Sequence, residues 1–161
     1  MTHPIFNLIW LNNLIEVTTL IQSDPGVVKE IDSEWYDGTP LHKASFEGRL
    51  EICRVLLQHR APVDSRERRG RTPLHLASEK GHLQICRVLL QHHAPVDSRD
   101  RTGRTPLHYA SQEGHHEVAR LLLEFHADVN AVDSDFENTP LHFERDKEEP
   151  IIIIPRDVIR E

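Results

Sequence analysis

The sequence is poor in several residue types, and each shortage excludes a class of protein. Aromatic residues make up 6% of the 161 residues and hydrophobic residues 38%, so one large compact core would be under-supplied with apolar side chains. Two cysteines cannot build a disulfide framework, which indicates a reducing compartment, cytoplasmic or nuclear. Lysine and arginine number 19 against 26 acidic residues, and the net charge of −7 argues against a general nucleic-acid-binding domain.

Long apolar runs and phosphate-binding glycine loops are also missing. The stretch 1–22 is apolar but starts without a basic region and is interrupted by asparagines, which favours a pair of amphipathic helices over a leader or a membrane span. The seven glycines are spread along the chain, and no nucleotide-binding loop, zinc-protease helix or serine-hydrolase elbow occurs. We therefore predict that the protein is not an enzyme and binds no cofactor.

The sequence instead repeats itself at a nearly constant interval. The string TPLH occurs at 39–42, 72–75, 105–108 and 139–142, at spacings of 33, 33 and 34 residues. Downstream of it, LEICRVLLQHRAPVDSR recurs as LQICRVLLQHHAPVDSR and, less closely, as HEVARLLLEFHADVNAV. Whole units that recur at a fixed interval indicate stacked elements, each of which buries its apolar face against its neighbours.

Each unit carries the signals of two short helices joined by a turn. Thr72 suits an N-cap, and Pro73 suits the first helical position because its missing N–H costs nothing there. Gly81 suits a helix end in the left-handed conformation. A second helix is predicted over Leu83–Gln91, where the apolar residues form one stripe.

These units resemble the ankyrin repeat, whose pattern is close to D-x-x-G-x-T-P-L-H-x-A-A-x-x-G-H, with a second helix and D-V-N-A after it. The resemblance is close from Asp37 to His142. It implies an all-α ankyrin-repeat solenoid of stacked helix-turn-helix units with short β-hairpin tips. We expect a single domain over 1–161, made of a degenerate N-terminal capping unit at 1–36, near-consensus repeats at 37–69, 70–102 and 103–136, and an abbreviated C-terminal capping unit at 137–161.

Several positions depart from the family pattern or could suggest other chemistry. Arg60, His93 and His126 stand where the family has glycine after the second helix, so we expect a positive φ at each. Ten of the twelve histidines fall in repeating columns, and equivalent positions on stacked helices lie about 8–10 Å apart, too far to share a metal ion. Cys53 and Cys86 share a column beyond disulfide reach, which predicts buried thiols.

The two ends should differ from the middle. In the N-terminal unit we predict helices at about 4–11 and 14–22, followed by an irregular loop through 24–26. Asn12 takes the place that glycine has in the inner units. Near the C-terminus, Ile151–Ile154 either cover the last unit as an extended strip or form a tail that binds another molecule.

In ankyrin-repeat proteins, partners usually bind the loop tips between units and the exposed positions of the first helices. Here the tips at 66–71 and 99–104 are rich in arginine, and they are flanked by acidic tips with aromatic residues at 32–37 and 132–138. The residues expected to contact a partner are Trp35, Tyr36, Arg66, Arg68, Arg69, Arg71, Glu79, Lys80, Arg99, Arg101, Arg104, Tyr109, Gln112, Glu113 and Phe136. Arginine and aromatic residues are common anchors of interfaces.

The resemblance therefore implies a monomeric, non-catalytic protein–protein interaction module, an adaptor or a stoichiometric inhibitor. Because the central tips are rich in arginine, we expect its partner to carry an acidic segment. The alternative is that the seven central arginines bind nucleic acid or another polyanion, with a steep dependence on salt. A separate signal is Asn130, which with Leu122, Asp128 and Val129 fits the pattern that the factor-inhibiting asparaginyl hydroxylase favours in ankyrin domains. Asn130 is thus a candidate modification site, although a loop asparagine can also be purely structural.

Overall fold

The computed structural model describes residues 3–134 and 138–140, and short helices account for most of them. In chain order these are α1 (Pro4–Trp10), α2 (Leu14–Ser23), a 3₁₀ helix (Pro25–Lys29), α3 (Pro40–Glu47), α4 (Leu50–Gln58), α5 (Pro73–Lys80), α6 (Leu83–Gln91), α7 (Pro106–Glu113) and α8 (His116–Glu124). Within the described ranges, none of the helices has the length and apolar character needed to cross a membrane.

The helices stack in two rows. The first helices of successive units pack on one another, α1 on α3, α3 on α5 and α5 on α7. The second helices do the same, α2 on α4, α4 on α6 and α6 on α8. One apolar cluster runs through the stack from Ile5 to Ala127, so each unit is covered by its neighbours. The predicted all-α repeat solenoid is confirmed.

The TPLH strings at 39–42, 72–75 and 105–108 each start a first helix and also tie it to the next unit. Thr39, Thr72 and Thr105 are the N-caps of α3, α5 and α7, and the histidine three residues later completes a capping box. The N–H of Thr72 donates to Nδ1 of His75 at 3.0 Å, and Nε2 of the same ring lies 3.0 Å from the carbonyl oxygen of Arg104. Because Nδ1 accepts, Nε2 carries the proton and donates across the unit boundary. The predicted N-cap is confirmed.

The same link recurs at two further unit boundaries. Nε2 of His42 lies 3.0 Å from the carbonyl oxygen of Arg71, and Nε2 of His108 lies 3.0 Å from that of Asn138. Burial lowers the pKa of His42 and of His75 to about 4, and it lowers the pKa of His108 as well, although the bond to the carbonyl opposes the shift. These rings are therefore neutral at pH 7, as their donor and acceptor roles require.

The glycines that end the first helices have a second role. Gly81 has a φ of 72°, and a Cβ at this position would lie 2.6 Å from Nδ1 of the His115 ring in the next unit. Nε2 of His115 lies 3.0 Å from the carbonyl oxygen of Glu79. Gly48 and His82 repeat this arrangement one unit earlier. Glycine thus permits both the left-handed helix end and the close approach of an imidazole.

Three residues other than glycine were predicted to have a positive φ, and all three do. Arg60, His93 and His126 have φ values of 62°, 64° and 65°. Asn12 has a φ of 55° and takes the part of Gly48 in the N-terminal unit. Asparagine and histidine tolerate this region better than most residues, and arginine does so at a cost. These backbone predictions are confirmed.

The N-terminal helices agree with the prediction to within one residue at each end, but the segment after them does not. The residues expected to form an irregular loop lead into the 3₁₀ helix Pro25–Lys29, which Asp24 caps by accepting a hydrogen bond from the N–H of Gly26 at 3.0 Å. Val27 and Val28 are buried in this helix, which packs against α2 and α3. Burial of the two valines explains why the segment is ordered.

The tips between units are tight turns rather than the expected β-hairpins. Over residues 3–134 and 138–140 there is no β-strand, and Asp32 and Gly38 form an isolated antiparallel bridge. The second and third tips close in the same manner. The backbone N–H of Glu67 donates to the carbonyl oxygen of Arg71, and the backbone N–H of Asp100 donates to that of Arg104. The stretch 141–161, including the isoleucine run, lies outside the described residues.

Candidate partner-binding face at the loop tips

The first tip (32–37), the second tip (66–71), the third tip (99–104) and the described part of the fourth tip (132–134 and 138) follow one another along the solenoid. One backbone hydrogen bond joins each tip to the next. The donor N–H groups and acceptor carbonyls are Arg68 to Tyr36 at 2.6 Å, Arg101 to Arg69 at 3.0 Å, and Ser134 to Thr102 at 2.8 Å. These bonds fix the distance between the backbones of adjacent tips, so their side chains start from fixed relative positions.

Two of the predicted contact residues brace this row of tips. Nη1 of Arg66 donates to the carbonyl oxygens of Gly70 and Arg99, one in its own tip and one in the next. Nη1 of Arg99 donates in the same way to Gly103 at 3.5 Å and to Val132 at 2.7 Å. Both side chains reach the surface, but part of their hydrogen-bonding capacity is used within the protein.

A buried acidic residue organises each tip, and the sequence analysis missed this column. Oδ1 of Asp100 accepts hydrogen bonds from the N–H groups of Thr102 at 2.8 Å and Arg104 at 3.0 Å. The equivalent residues, all of them buried, are Asp32, Glu67, Asp100 and Asp133. An acidic residue recurring at 33-residue spacing in the last three tips was the available signal.

Arg71 was expected to lie on the surface, but it is buried. Its exposed fraction is 6%, and its guanidinium pairs with Glu67 at 3.4 Å and with Glu79 at 2.9 Å. Nη1 of Arg104 makes the equivalent contact in the next unit, with Oε1 of Gln112 at 3.1 Å. Arg71 and Glu79 therefore link the second tip to α5. Arg104 and Gln112 link the third tip to α7 in the same way.

The aromatic residues of the first tip have different surroundings. Trp35 is partly buried, with its ring edge-to-face to Phe46 at 5.6 Å and the Lys43 ammonium 5.0 Å from its centroid. Tyr36 is exposed, and the guanidinium of Arg69 lies 4.7 Å from the centre of its ring. Tyr36 is thus an exposed aromatic residue of the first tip, with an arginine of the second tip over its ring.

Of the remaining predicted residues, the structure describes Lys80, Glu113 and Asn130. Lys80 and Glu113 are exposed at the C-terminal ends of α5 and α7. Phe136 lies outside the described residues. Asn130 is exposed in the turn after α8, where its N–H donates to Oδ1 of Asp128 at 2.9 Å. Modification of Asn130 stays a prediction.

A pocket of about 470 Å³ opens between the second and third tips. The side chains that define its character are Arg68, Arg69, Arg101, Arg104, Asp100 and Tyr109. Arg68 forms an ion pair with Asp37 at 3.0 Å, and Arg104 forms one with Asp133 at 3.5 Å. Among the described residues, the guanidinium groups of Arg69 and Arg101 have no carboxylate partner. The structure thus brings together four of the seven predicted arginines.

The acidic residue of the pocket is held by its own tip and by α7. The hydroxyl of Tyr109 donates to Oδ2 of Asp100 at 2.6 Å. Burial alone would raise the pKa of Asp100, but hydrogen bonds from Tyr109 and Thr102 outweigh it and lower that pKa. Burial, together with the bond to this carboxylate, raises the pKa of Tyr109. At neutral pH the carboxylate is charged and the phenol keeps its proton.

Other reactive side chains are placed in the core. Cys53 and Cys86 are free and fully buried, and burial raises the pKa of both thiols to about 12. Their prediction as buried apolar residues is confirmed, and at neutral pH they are protonated and poor nucleophiles. Over the part of the chain that the structure describes, no three residues among His, Cys, Asp and Glu come together as a set of metal ligands.

Helix pairs that share their core, joined at the inner unit boundaries by imidazole links and between tips by backbone hydrogen bonds, define a helical repeat protein. Comparison with protein-family models identifies the repeat: the model for ankyrin repeats in three copies matches residues 8–100, and the model for a single ankyrin repeat matches residues 102–134. The chain belongs to the ankyrin-repeat family, whose repeats are in general protein–protein interaction modules. No curated protein matches the chain in a direct sequence comparison.

Proposed function

We propose that the chain is a non-catalytic module that binds the acidic segment of a partner protein through its tips and the adjoining first helices. The observation that carries the proposal is the pair formed by Arg69 and Arg101. They lie on adjacent tips whose spacing is fixed by a backbone hydrogen bond, and both are exposed without a carboxylate partner in the described part of the chain. Tyr36, stacked with Arg69, supplies a neighbouring aromatic anchor.

Such binding would give the chain one of two roles. As an adaptor it would hold its partner at the tips and present the rest of the solenoid to a third molecule. As a stoichiometric inhibitor it would cover a functional surface of the partner. We propose that it does so as a monomer in the cytoplasm or nucleus.

Nucleic acid is the second candidate, because four arginines line one pocket. The neighbouring charges favour a protein segment. Glu34 is exposed on the first tip, so an extended polyanion that followed the row of tips would meet like charge on that side of the pocket. A short acidic segment that ends within the pocket would not.

Charge reversal of Arg69 and Arg101 to glutamate tests the proposal. These two are the suitable positions, because Arg68 already pairs with Asp37, and reversing Arg104 would place a new carboxylate beside the buried Asp133 and weaken the fold. Proteins retained by the immobilised intact chain and by the double variant would be compared by mass spectrometry. We expect a partner held by the intact chain to be lost from the double variant, with helicity by circular dichroism unchanged.

The matched control carries the same change in charge away from the tips. Arg54 and Arg120 are exposed on α4 and α8, where each pairs with a glutamate one helical turn away. Because exposed pairs of this kind contribute little stability, the control variant should fold normally and keep the partner. Equal retention by the intact chain and both variants would rule out the tips as the binding face. Loss from both variants would show non-specific attraction to positive charge.

A further inference from the structure

The pocket between the second and third tips has a charge pattern that suits one kind of acidic group. We propose that it receives a phosphorylated side chain, which is phosphoserine, phosphothreonine or phosphotyrosine, within the partner's acidic segment. This inference rests on the proposed function and specifies its central contact. The pocket measures about 470 Å³ and lies between Arg69 on one tip and Arg101 on the next.

The first argument concerns the available donors. The N–H of Arg101 bonds to the carbonyl oxygen of Arg69 at 3.0 Å, so the two residues approach each other at the backbone while each extends an exposed side chain. Arg69 stacks on Tyr36, and a stacked guanidinium keeps its in-plane N–H donors for a ligand. Two such groups can hold several oxygen atoms of one anion in bidentate fashion.

The second argument concerns the carboxylate in the pocket. Oδ1 of Asp100 accepts from the N–H groups of Thr102 and Arg104 and from the hydroxyl of Thr102, at 2.8 to 3.0 Å. Its Oδ2 accepts from the hydroxyl of Tyr109 at 2.6 Å. Both oxygens are therefore engaged within the protein, and Asp100 forms no ion pair with Arg69 or Arg101.

The third argument is the amount of charge. Arg68 and Arg104 are compensated by Asp37 and Asp133, which leaves two guanidinium groups without a carboxylate partner among the described residues. A carboxylate side chain brings about one negative charge, whereas a phosphate monoester brings roughly 1.5 to 2 at neutral pH and three strong acceptor oxygens. The phosphate therefore offers the two groups more charge and more acceptor oxygens than a carboxylate does.

The fourth argument separates a single phosphate from a chain of them. Surface charges act over roughly 8 Å at physiological ionic strength. One phosphoryl group held in the pocket interacts mainly with the arginines that line it. A nucleic acid places further charges along the row of tips, where the carboxylate of Glu34 is exposed. The geometry therefore favours a phosphoprotein segment over RNA or DNA.

Immobilised degenerate peptide libraries test the inference with the full chain. One library has phosphoserine, phosphothreonine or phosphotyrosine fixed at its centre, and two matched libraries have glutamate or the unmodified residue there. We expect the chain to bind at least one phosphorylated library about tenfold more tightly than the glutamate library. Arg69→Gln with Arg101→Gln should abolish that preference, and the control Arg54→Gln with Arg120→Gln should keep it.

A conservative variant separates a guanidinium site from simple positive charge. Arg69→Lys with Arg101→Lys keeps the charge but removes the planar fork of donors. It should lose most of the preference for phosphate over glutamate, although it still attracts acidic peptides. Circular dichroism and urea unfolding of each variant would show that the fold is intact, as the exposure of both side chains predicts.

Each other outcome would overturn the inference, and the outcomes have different consequences for the proposed function. Equal binding of the glutamate and phosphorylated libraries, lost from the Gln pair, would reject the phosphate and leave the acidic segment. No binding to any library, with a partner still captured through Arg69 and Arg101, would do the same. Tighter binding to a single-stranded oligonucleotide, falling steeply with salt, would reject both and favour a polyanion.

Discussion

The central unit, α5 with α6, and the N-terminal unit, α1 with α2, have the same arrangement but meet their neighbours through different chemistry. In the central unit His75 caps its own helix and donates to the next unit through Nε2. In the N-terminal unit His3 caps α1 through Nδ1, which accepts from the N–H of Ile5 at 3.3 Å. His3 is partly exposed, whereas His75 is fully buried. The inner unit therefore depends on polar links shielded from water.

The outer surface of the N-terminal unit shows the other side of this difference. Trp10, Leu11 and Ile15 are 59%, 63% and 80% exposed, while the apolar residues of α5 and α6 are mostly buried. Within the described residues, the N-terminal unit packs on the next unit through α1 on α3 and α2 on α4. Because fewer of its groups depend on an exact partner, we expect substitutions there to cost less stability than in the central unit.

Acidification should weaken the histidine hydrogen bonds between the inner units. His42 and His75 have folded pKa values of about 4, against an ordinary value of 6.5, so the unfolded chain binds more protons between these values. Their contribution to stability is complete above pH 6.5 and is lost as the pH falls toward 4. From pH 7 to pH 5 we expect the free energy of unfolding in urea to fall by roughly 2 kcal/mol for each of these two histidines.

Two variants assign this loss to the buried rings. His75→Gln should already be less stable at pH 7, and it should lose less stability on acidification than the intact chain. His59→Gln removes an exposed histidine and should leave the pH dependence as it was. A free energy of unfolding that stays constant between pH 7 and pH 5 would contradict the assigned neutral, buried state.

Alanine at the helix ends should separate backbone strain from the contact between units. Gly81→Ala combines a positive φ with a Cβ placed 2.6 Å from the His115 ring, and we expect a loss of about 2 to 3 kcal/mol. Asn12→Ala in the N-terminal unit faces the positive φ, and we expect a loss of about 1 kcal/mol. Both follow from urea unfolding monitored by circular dichroism. Equal losses would mean that the imidazole moves aside without cost.

The smallest effect is expected after the second helix of the central unit. His93 has a φ of 64° and an exposed side chain, so His93→Gly should raise the free energy of unfolding by under about 1 kcal/mol. His92→Gly is the matched control, because its φ is −93° and its Nδ1 lies 2.9 Å from the carbonyl oxygen of Val88. The control should be destabilised. A lower melting temperature for His93→Gly than for the intact chain would show that the positive φ of His93 does not strain the backbone.

The helix boundaries could be predicted because their causes are local. Thr72 and Pro73 start a helix, and Gly81 ends it, by interactions within a few residues of the chain. The 3₁₀ helix after α2 was missed because its order comes from burial of Val27 and Val28 against other elements, which no short stretch of sequence reveals.

The candidate site was predictable as a region but not residue by residue. The composition of the second tip separates it from its neighbours, yet Arg69 and Arg71, two positions apart, have opposite surroundings. Arg71 is buried because Glu67 and Glu79 converge on it, and the approach of Glu79 depends on how α5 packs beside the tip. Such three-dimensional pairing decides which guanidinium groups remain available to a partner.

The links between units join residues at nearly constant separations along the chain. His42 and His75 each reach a carbonyl 29 residues ahead, and His82 and His115 each reach one 36 residues behind. An in-frame duplication or excision of one inner unit would thus leave every donor facing an equivalent acceptor at the new junction. A solenoid assembled in this way can change its length in evolution by whole units, because the new junction uses the same hydrogen bonds as the existing ones.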